Sequence, residues 1–219
     1  MSRICSSLRE IIHFPKTQGY STIRVPVTWF CHIIDDNYTI DPKWMTRVKQ
    51  VVDWAIEDGY YVILNEHHSV RDKMHSPIEY GEGYIPRNTP ADIAESERFL
   101  KAVWKQIATA FNNSYDEHLI FETMNEPRLR GQDVEWTYSS TNGKSVDCLK
   151  TLNKLNQTCV DVIRASKGNN ASRFIMVPGN AATPAAVLSD EFVLPKDNKK
   201  NTGKILVSVH LYTPYSFAG

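Results

Sequence analysis

No run of apolar residues in this 219-residue sequence approaches the roughly 18 that a membrane-spanning helix needs. Met1 to Leu8 also lacks the apolar stretch, about 7–15 residues long, of a secretory leader. The chain is therefore expected to be soluble and unanchored, with no membrane partner. Excess charge is missing as well: 25 Lys and Arg balance 25 Asp and Glu, giving a formal net charge of zero. That balance gives no sign of a nucleic-acid or anionic-membrane partner, and neither is expected. Of the four cysteines (Cys5, Cys31, Cys148, Cys159), none stands in a CxxC pair or at metal-ligand spacing. Cys148 and Cys159 fall on one predicted helix about 16 Å apart along its axis, too far to bridge. All four read as free thiols. Neither a HExxH motif nor a Gly-rich phosphate loop is present, so no metal and no cofactor is expected.

What the sequence does have is alternation. Short apolar, β-branched runs take turns with amphipathic helices. Thr22 to Val27 reads as a strand, and Asp41-Pro42 then supplies an N-cap and a proline at the first helical position. Trp44, Val48, Val51, Val52, Ala55 and Ile56 follow at helical spacing up to Gly59. Tyr60 to Leu64 is a continuous apolar strand of the kind buried on both faces. A polar loop over 66–89 leads to a helix opened by Thr89-Pro90, then to the strand Leu119–Met124. A helix from Val146 to Lys167, a strand from Arg173 to Val177, a short helix near 184–189 and a strand from Lys204 to Val209 complete the pattern. No linker divides it, so residues 1–219 read as one domain.

Such alternation implies an α/β fold with a parallel sheet and right-handed crossovers. A doubly wound sheet and a barrel both satisfy it. The polar residues decide between them, because they gather at the carboxyl ends of the strands. Arg24 lies in the first strand; Asn65, His67 and His68 end the second. Asn125 and Glu126 end the third, Asn180 the fourth, and His210 and Tyr212 the fifth. Convergence of several strand ends on one polar site is the arrangement of a (β/α)8 barrel. At 219 residues the chain falls short of the roughly 250 typical of such a barrel.

Glu126 is the expected catalytic residue. A glutamate directly before Pro127 at a strand end is kept out of helical geometry and aimed into the barrel mouth. Partly desolvated and near a second carboxylate, its carboxyl can hold a proton and donate it to a glycosidic oxygen. On the Glu-Pro dipeptide alone, a loop glutamate capping the next helix is an equal reading. Four co-linear segments change that balance: Gly19–Trp29, Tyr61–His68, Ile120–Pro127 and Val209–Pro214. In order and spacing they resemble the second, third, fourth and sixth strands of family 5 of the glycoside hydrolases, in its endo-β-1,4-glucanase (cellulase) branch. The resemblance covers residues 10–217.

Position by position, the resemblance implies that Glu126 is the general acid/base and that Asn125 hydrogen-bonds a sugar 2-hydroxyl. It implies that Arg24 and Tyr212 orient a nucleophilic carboxylate, and that His67, His68 and His210 position substrate and acid/base. Trp29 and Trp136, with Tyr84, sit on predicted loops at the mouth, where an aromatic face can stack on a glucosyl ring or pack the loop base. Trp44, Trp54 and Trp104 lie on helices and are expected in the core. Glu66 stands where the family more often carries an apolar residue. A metal bound by the three histidines is the weaker alternative, since neutral imidazoles suit sugar hydroxyls equally well.

Counted against the family, the five strands are the second to sixth of eight, an incomplete barrel. The family's nucleophile, a glutamate on the seventh, is absent; Glu66, Glu122, Glu135 and Glu191 do not occupy its place. The expectation is an endo-acting, retaining hydrolase of β-1,4-glucan, secreted or at the cell surface in its parent form. A non-catalytic carbohydrate-binding remnant is the alternative. Two bare sheet edges further suggest closure by a second copy, a homo-oligomer through exposed strands.

Overall fold

The computed structural model describes residues 3–67, 89–130, 132–212 and 216, with the side chains of residues 3–7 and 92 excepted. Helix α1 (Arg3–Thr17) leads into β1 (Thr22–Val25). Helix α2 (Pro42–Glu57), β2 (Tyr61–Asn65), α3 (Pro90–Ala110) and β3 (Leu119–Glu122) follow. Helix α4 (Gly143–Ala165), β4 (Ile175–Pro178), α5 (Pro184–Val187) and β5 (Ile205–Ser208) complete the order.

Local chemistry accounts for the helix ends. The Asp41 side chain accepts from the Lys43 backbone N–H at 2.8 Å, and Pro42 opens α2 where its missing N–H costs nothing. Gly59 ends that helix with φ +77°, a conformation that suits glycine. Asn142 caps α4 by accepting from Lys144 and Ser145, so the helix begins three residues before the expected Val146. The cap is an asparagine on a polar loop, a signal weaker in sequence than the apolar face behind it.

All five strands are parallel and stand in the order β1-β2-β3-β4-β5. That order is the structural test of the two fold alternatives. A doubly wound sheet reverses direction once and places helices on both faces. Here each strand joins the outer side of the previous one, so right-handed crossovers lay every helix on the same face. The sheet is an arc of a barrel. Its pleat sorts the side chains. Val62, Leu64, Leu119, Phe121, Ile175 and Val177 are fully buried against Phe99, Val103, Trp104, Ile107, Leu152, Leu155, Cys159 and Ile163 of the helices. The register Arg24↔Ile63↔Ile120, together with Asn65↔Glu122↔Met176↔Leu206, puts the alternate residues on the inner, concave face. Trp104 joins the core as expected; Trp44 and Trp54 pack at its margin.

At the amino-terminal side of the sheet, Arg173 acts as a staple. Its guanidinium donates to the backbone carbonyls of Asn112, Tyr115, Asp116 and Leu119 and to the Asn170 side chain. At the flanks, β1 and β5 each pair with one neighbour in this sheet. Apolar side chains are exposed toward both ends of the chain: Ile11 and Phe14 on α1 and Tyr20 just before β1, and Val207, Val209, Leu211 and Tyr212 along and beyond β5. Among the described residues no helix is long and apolar enough to cross a membrane.

Candidate active site

The carboxyl ends of the strands carry two linked polar clusters. The first centres on Glu126. His210, just past β5, meets its carboxylate with Nδ1 at 2.7 Å from Oε1. Backbone bonds fix that approach. The His210 N–H donates to Ala182 O at 2.9 Å, and the Ala181 N–H donates to Pro127 O at 2.8 Å. Ala181 and Ala182 hold φ of +47° and +50°, left-handed values that cost an alanine energy. This strained turn after β4 is thus clamped between the loop carrying Glu126 and the segment carrying His210. Arg128 comes from the other side, donating Nη1 to the Glu126 carbonyl at 2.9 Å and Nε to Glu135 at 3.0 Å. The hydrogen bond from His210 holds the part-buried Glu126 carboxyl below its ordinary pKa of 4.5, against the desolvation that pushes it up. The charges of His210, Arg128 and His67 act in the same downward direction.

The second cluster lies deeper. Arg24 of β1 donates Nε to Glu122 Oε2 at 2.7 Å; its Nη2 lies in ion-pair contact with the same oxygen, also at 2.7 Å, and donates to Asn125 Oδ1 at 2.7 Å. Ser208 of β5 closes the cluster by donating to Glu122 Oε1 at 2.5 Å. Asn65 organises the end of β2: its Oδ1 accepts from the Val27 N–H at 3.2 Å, and its Nδ2 lies 3.1 Å from His67 Nδ1.

Of the expected site residues, Arg24, Asn125, Glu126, His67 and His210 come together. Tyr212 lies beyond β5, 58% exposed. Trp136 is 55% exposed, and one face of its ring is covered by the Arg128 guanidinium at 3.9 Å. Trp29 does not line the mouth. It is fully buried, and its indole N–H donates to the Asn65 carbonyl at 2.9 Å. The ring is a packing element under the loop base rather than a stacking surface. Asn180 also turns inward, 1% exposed, bridging Thr137 O and the Cys148 thiol. His68 and Tyr84 lie outside the described residues. Cys31, Cys148 and Cys159 are free thiols.

Sequence reasoning passed over Arg128 and Ser208, and it gave Glu122 no role. A cation two residues after Glu126 was visible in the sequence as a signal for Arg128. Nothing in the sequence marks Ser208, whose role depends on which strands face each other. Among the described residues, no group of three His, Cys, Asp or Glu side chains is placed to hold a metal ion.

An arc of parallel strands with helices on one face and an acid beside imidazole at the strand ends defines a (β/α)-barrel hydrolase-type scaffold. The chain belongs to the cellulase family, glycosyl hydrolase family 5, whose model matches residues 3–219. It is 44% identical over 200 residues to endoglucanase B of Ruminococcus albus, covering 91% of this chain and 43% of that protein. It is 40% identical over 211 residues to the cellulase/esterase CelE of Acetivibrio thermocellus, covering 96% of this chain and 23% of that one. In structure it resembles a glycoside hydrolase 5 lichenase mutant from Caldicellulosiruptor sp. F32 in complex with cellotetraose. The TM-score is 0.86 at 42% identity, over 94% of this chain and 52% of that one. A xyloglucan-specific endo-β-1,4-glucanase from a metagenomic library, in complex with cellotriose, gives 0.79 at 34% identity, over 95% and 55%. The chain therefore spans about half the length of the endoglucanase and of the two solved chains, and about a quarter of CelE.

Proposed function

We propose that these 219 residues are the larger part of one catalytic domain that cleaves internal β-1,4 bonds of a glucan with retention at the anomeric carbon. The observation that carries this reading is the Glu126–His210 contact at the strand ends, beside the Arg24–Asn125 pair. Glu126 donates a proton to the glycosidic oxygen and then, as a carboxylate, takes one from the attacking water. His210 and His67 hold it in place and, with Asn125, meet sugar hydroxyls. Trp136 offers the ring face not covered by Arg128 to a glucosyl unit at the rim. Tyr212 and Arg24 border the place of the nucleophile. Cellotetraose in the lichenase and cellotriose in the xyloglucanase support a β-1,4-glucosyl ligand. A secreted or cell-surface parent is consistent with a polymeric substrate.

Retention requires a second carboxyl about 5–5.5 Å from the first. Of the other carboxylates in these clusters, Glu135 is held by Arg128, and Arg24 and Ser208 occupy both oxygens of Glu122. We therefore place the nucleophile on a glutamate outside the residues described. The same observation favours a second reading, a glucan-binding chain without turnover of its own. Reducing-sugar release from carboxymethylcellulose separates the two. Turnover that Glu126→Gln lowers by at least about 10³-fold supports the hydrolase. Binding of cello-oligosaccharide with no turnover at any protein concentration supports the binding chain.

A further inference from the structure

Glu122 sits beneath Asn125 at the end of β3, with 1% of its surface exposed. Three alternate strands meet on its carboxylate: Arg24 reaches it from β1 and Ser208 from β5, each two strands away. Barrel interiors are built in such layers, contributed by alternate strands and dominated by Val, Ile and Leu. A charged member is costly there unless its lone pairs are filled. Here they are. Oε2 takes the Arg24 Nε–H at 2.7 Å with Nη2 in ion-pair contact at 2.7 Å, and Oε1 takes the Ser208 hydroxyl at 2.5 Å.

The consequence falls on Asn125. A guanidinium only donates, so the Asn125 atom 2.7 Å from Arg24 Nη2 is the amide oxygen. Its NH2 group must then point the other way, as a donor to an acceptor in the cleft. The arrangement holds only while Arg24 stays down in the barrel, and what keeps it there is the carboxylate of Glu122. An apolar residue at 122 would leave a part-buried cation free to swing toward the mouth and the Asn125 amide free to flip.

We propose that Glu122 is a positioning residue, which anchors Arg24 and thereby fixes the Asn125 amide with its NH2 toward the sugar. Ser208 serves the same end by holding the second oxygen of that carboxylate. The identity of the acceptor rests on the glucanase reading; the orientation of the amide does not.

Proton–nitrogen NMR of the labelled chain tests it through the Arg24 Nε–H and Asn125 Nδ2 signals. In Glu122→Gln both signals are expected to move, and the Arg24 Nε–H to exchange with solvent at least tenfold faster. The Asn156 Nδ2 signal, bonded to Pro178 O, is expected to stay in place. Cellotetraose affinity should fall about tenfold in Glu122→Gln and recover to within about threefold in Glu122→Asp, which keeps the charge. Unmoved Asn125 signals overturn the inference, as does an affinity within twofold of the original when those signals have moved. Should Glu122→Gln not fold, Ser208→Ala is read the same way: displacement of the two signals supports the role, and no displacement overturns it. If the unaltered chain binds no cellotetraose, the glucanase reading falls, and the orientation of Asn125 stands or falls on the NMR signals alone.

Discussion

His210 sets the proton affinity of Glu126 through one contact of 2.7 Å. The direction is downward, which suits the base half of a double displacement better than the acid half. A substrate that excludes water and a second carboxylate opposite would both push it back up. His210→Ala removes the largest lowering influence and leaves desolvation in force, so the Glu126 pKa is expected to rise, read by carbon-13 titration of its carboxyl. Because the folded pKa lies below 4.5, Glu126 adds stability that is present above that pH and lost as pH falls through the folded value. Thermal unfolding in acid should therefore weaken less steeply in Glu126→Gln than in the unaltered chain. Equal steepness would place the loss on other carboxylates, Asp116 and Asp197 among them, whose pKa values are also lowered.

At the level of elements, the two ends of the sheet do different work. The carboxyl ends hold the chemistry, while the amino-terminal side is held by Arg173. Burial lowers its pKa to about 10, and four backbone carbonyls satisfy the buried cation. Arg173→Ala leaves those acceptors stranded in the turn between α3 and β3, and is expected to cost about 3 kcal/mol in urea unfolding. Arg173→Lys should recover part of that loss, since an ammonium has three donors where the guanidinium uses its planar fork. Glucan affinity should stay within twofold in either variant that folds, because Arg173 lies at the opposite end of the strands from Glu126.

For the molecule as a whole, the arc leaves apolar surface on both flanks. Val207, Leu211 and Tyr212 along and beyond β5 are 39%, 69% and 58% exposed, and Ile11 and Phe14 on α1 are 66% and 64% exposed. Surface of this kind, next to a strand edge, seeks a partner. We propose that a second copy closes it. Sedimentation at micromolar concentration should show species larger than the monomer, and Val207→Lys with Leu211→Lys should shift them toward it. A well-folded monomer at all dilutions counts against the idea.

The alternation of strand and helix, the caps at Asp41 and Gly59, and the convergence of Arg24, Asn125, Glu126 and His210 were legible in the sequence. Each depends on local periodicity or on the rule that parallel strands present their ends together. Tertiary structure decided the rest. Trp29 follows a strand like a mouth residue, yet its indole found the Asn65 carbonyl below the loop, a partner 36 positions away. Glu122 looked like an unassigned carboxylate until β1 and β5 brought Arg24 and Ser208 to its two oxygens, from 98 and 86 positions away. Sequence specifies which side chains a strand offers to a face. Only closure of the sheet decides which of them meet, because that depends on the stagger between strands far apart in the chain.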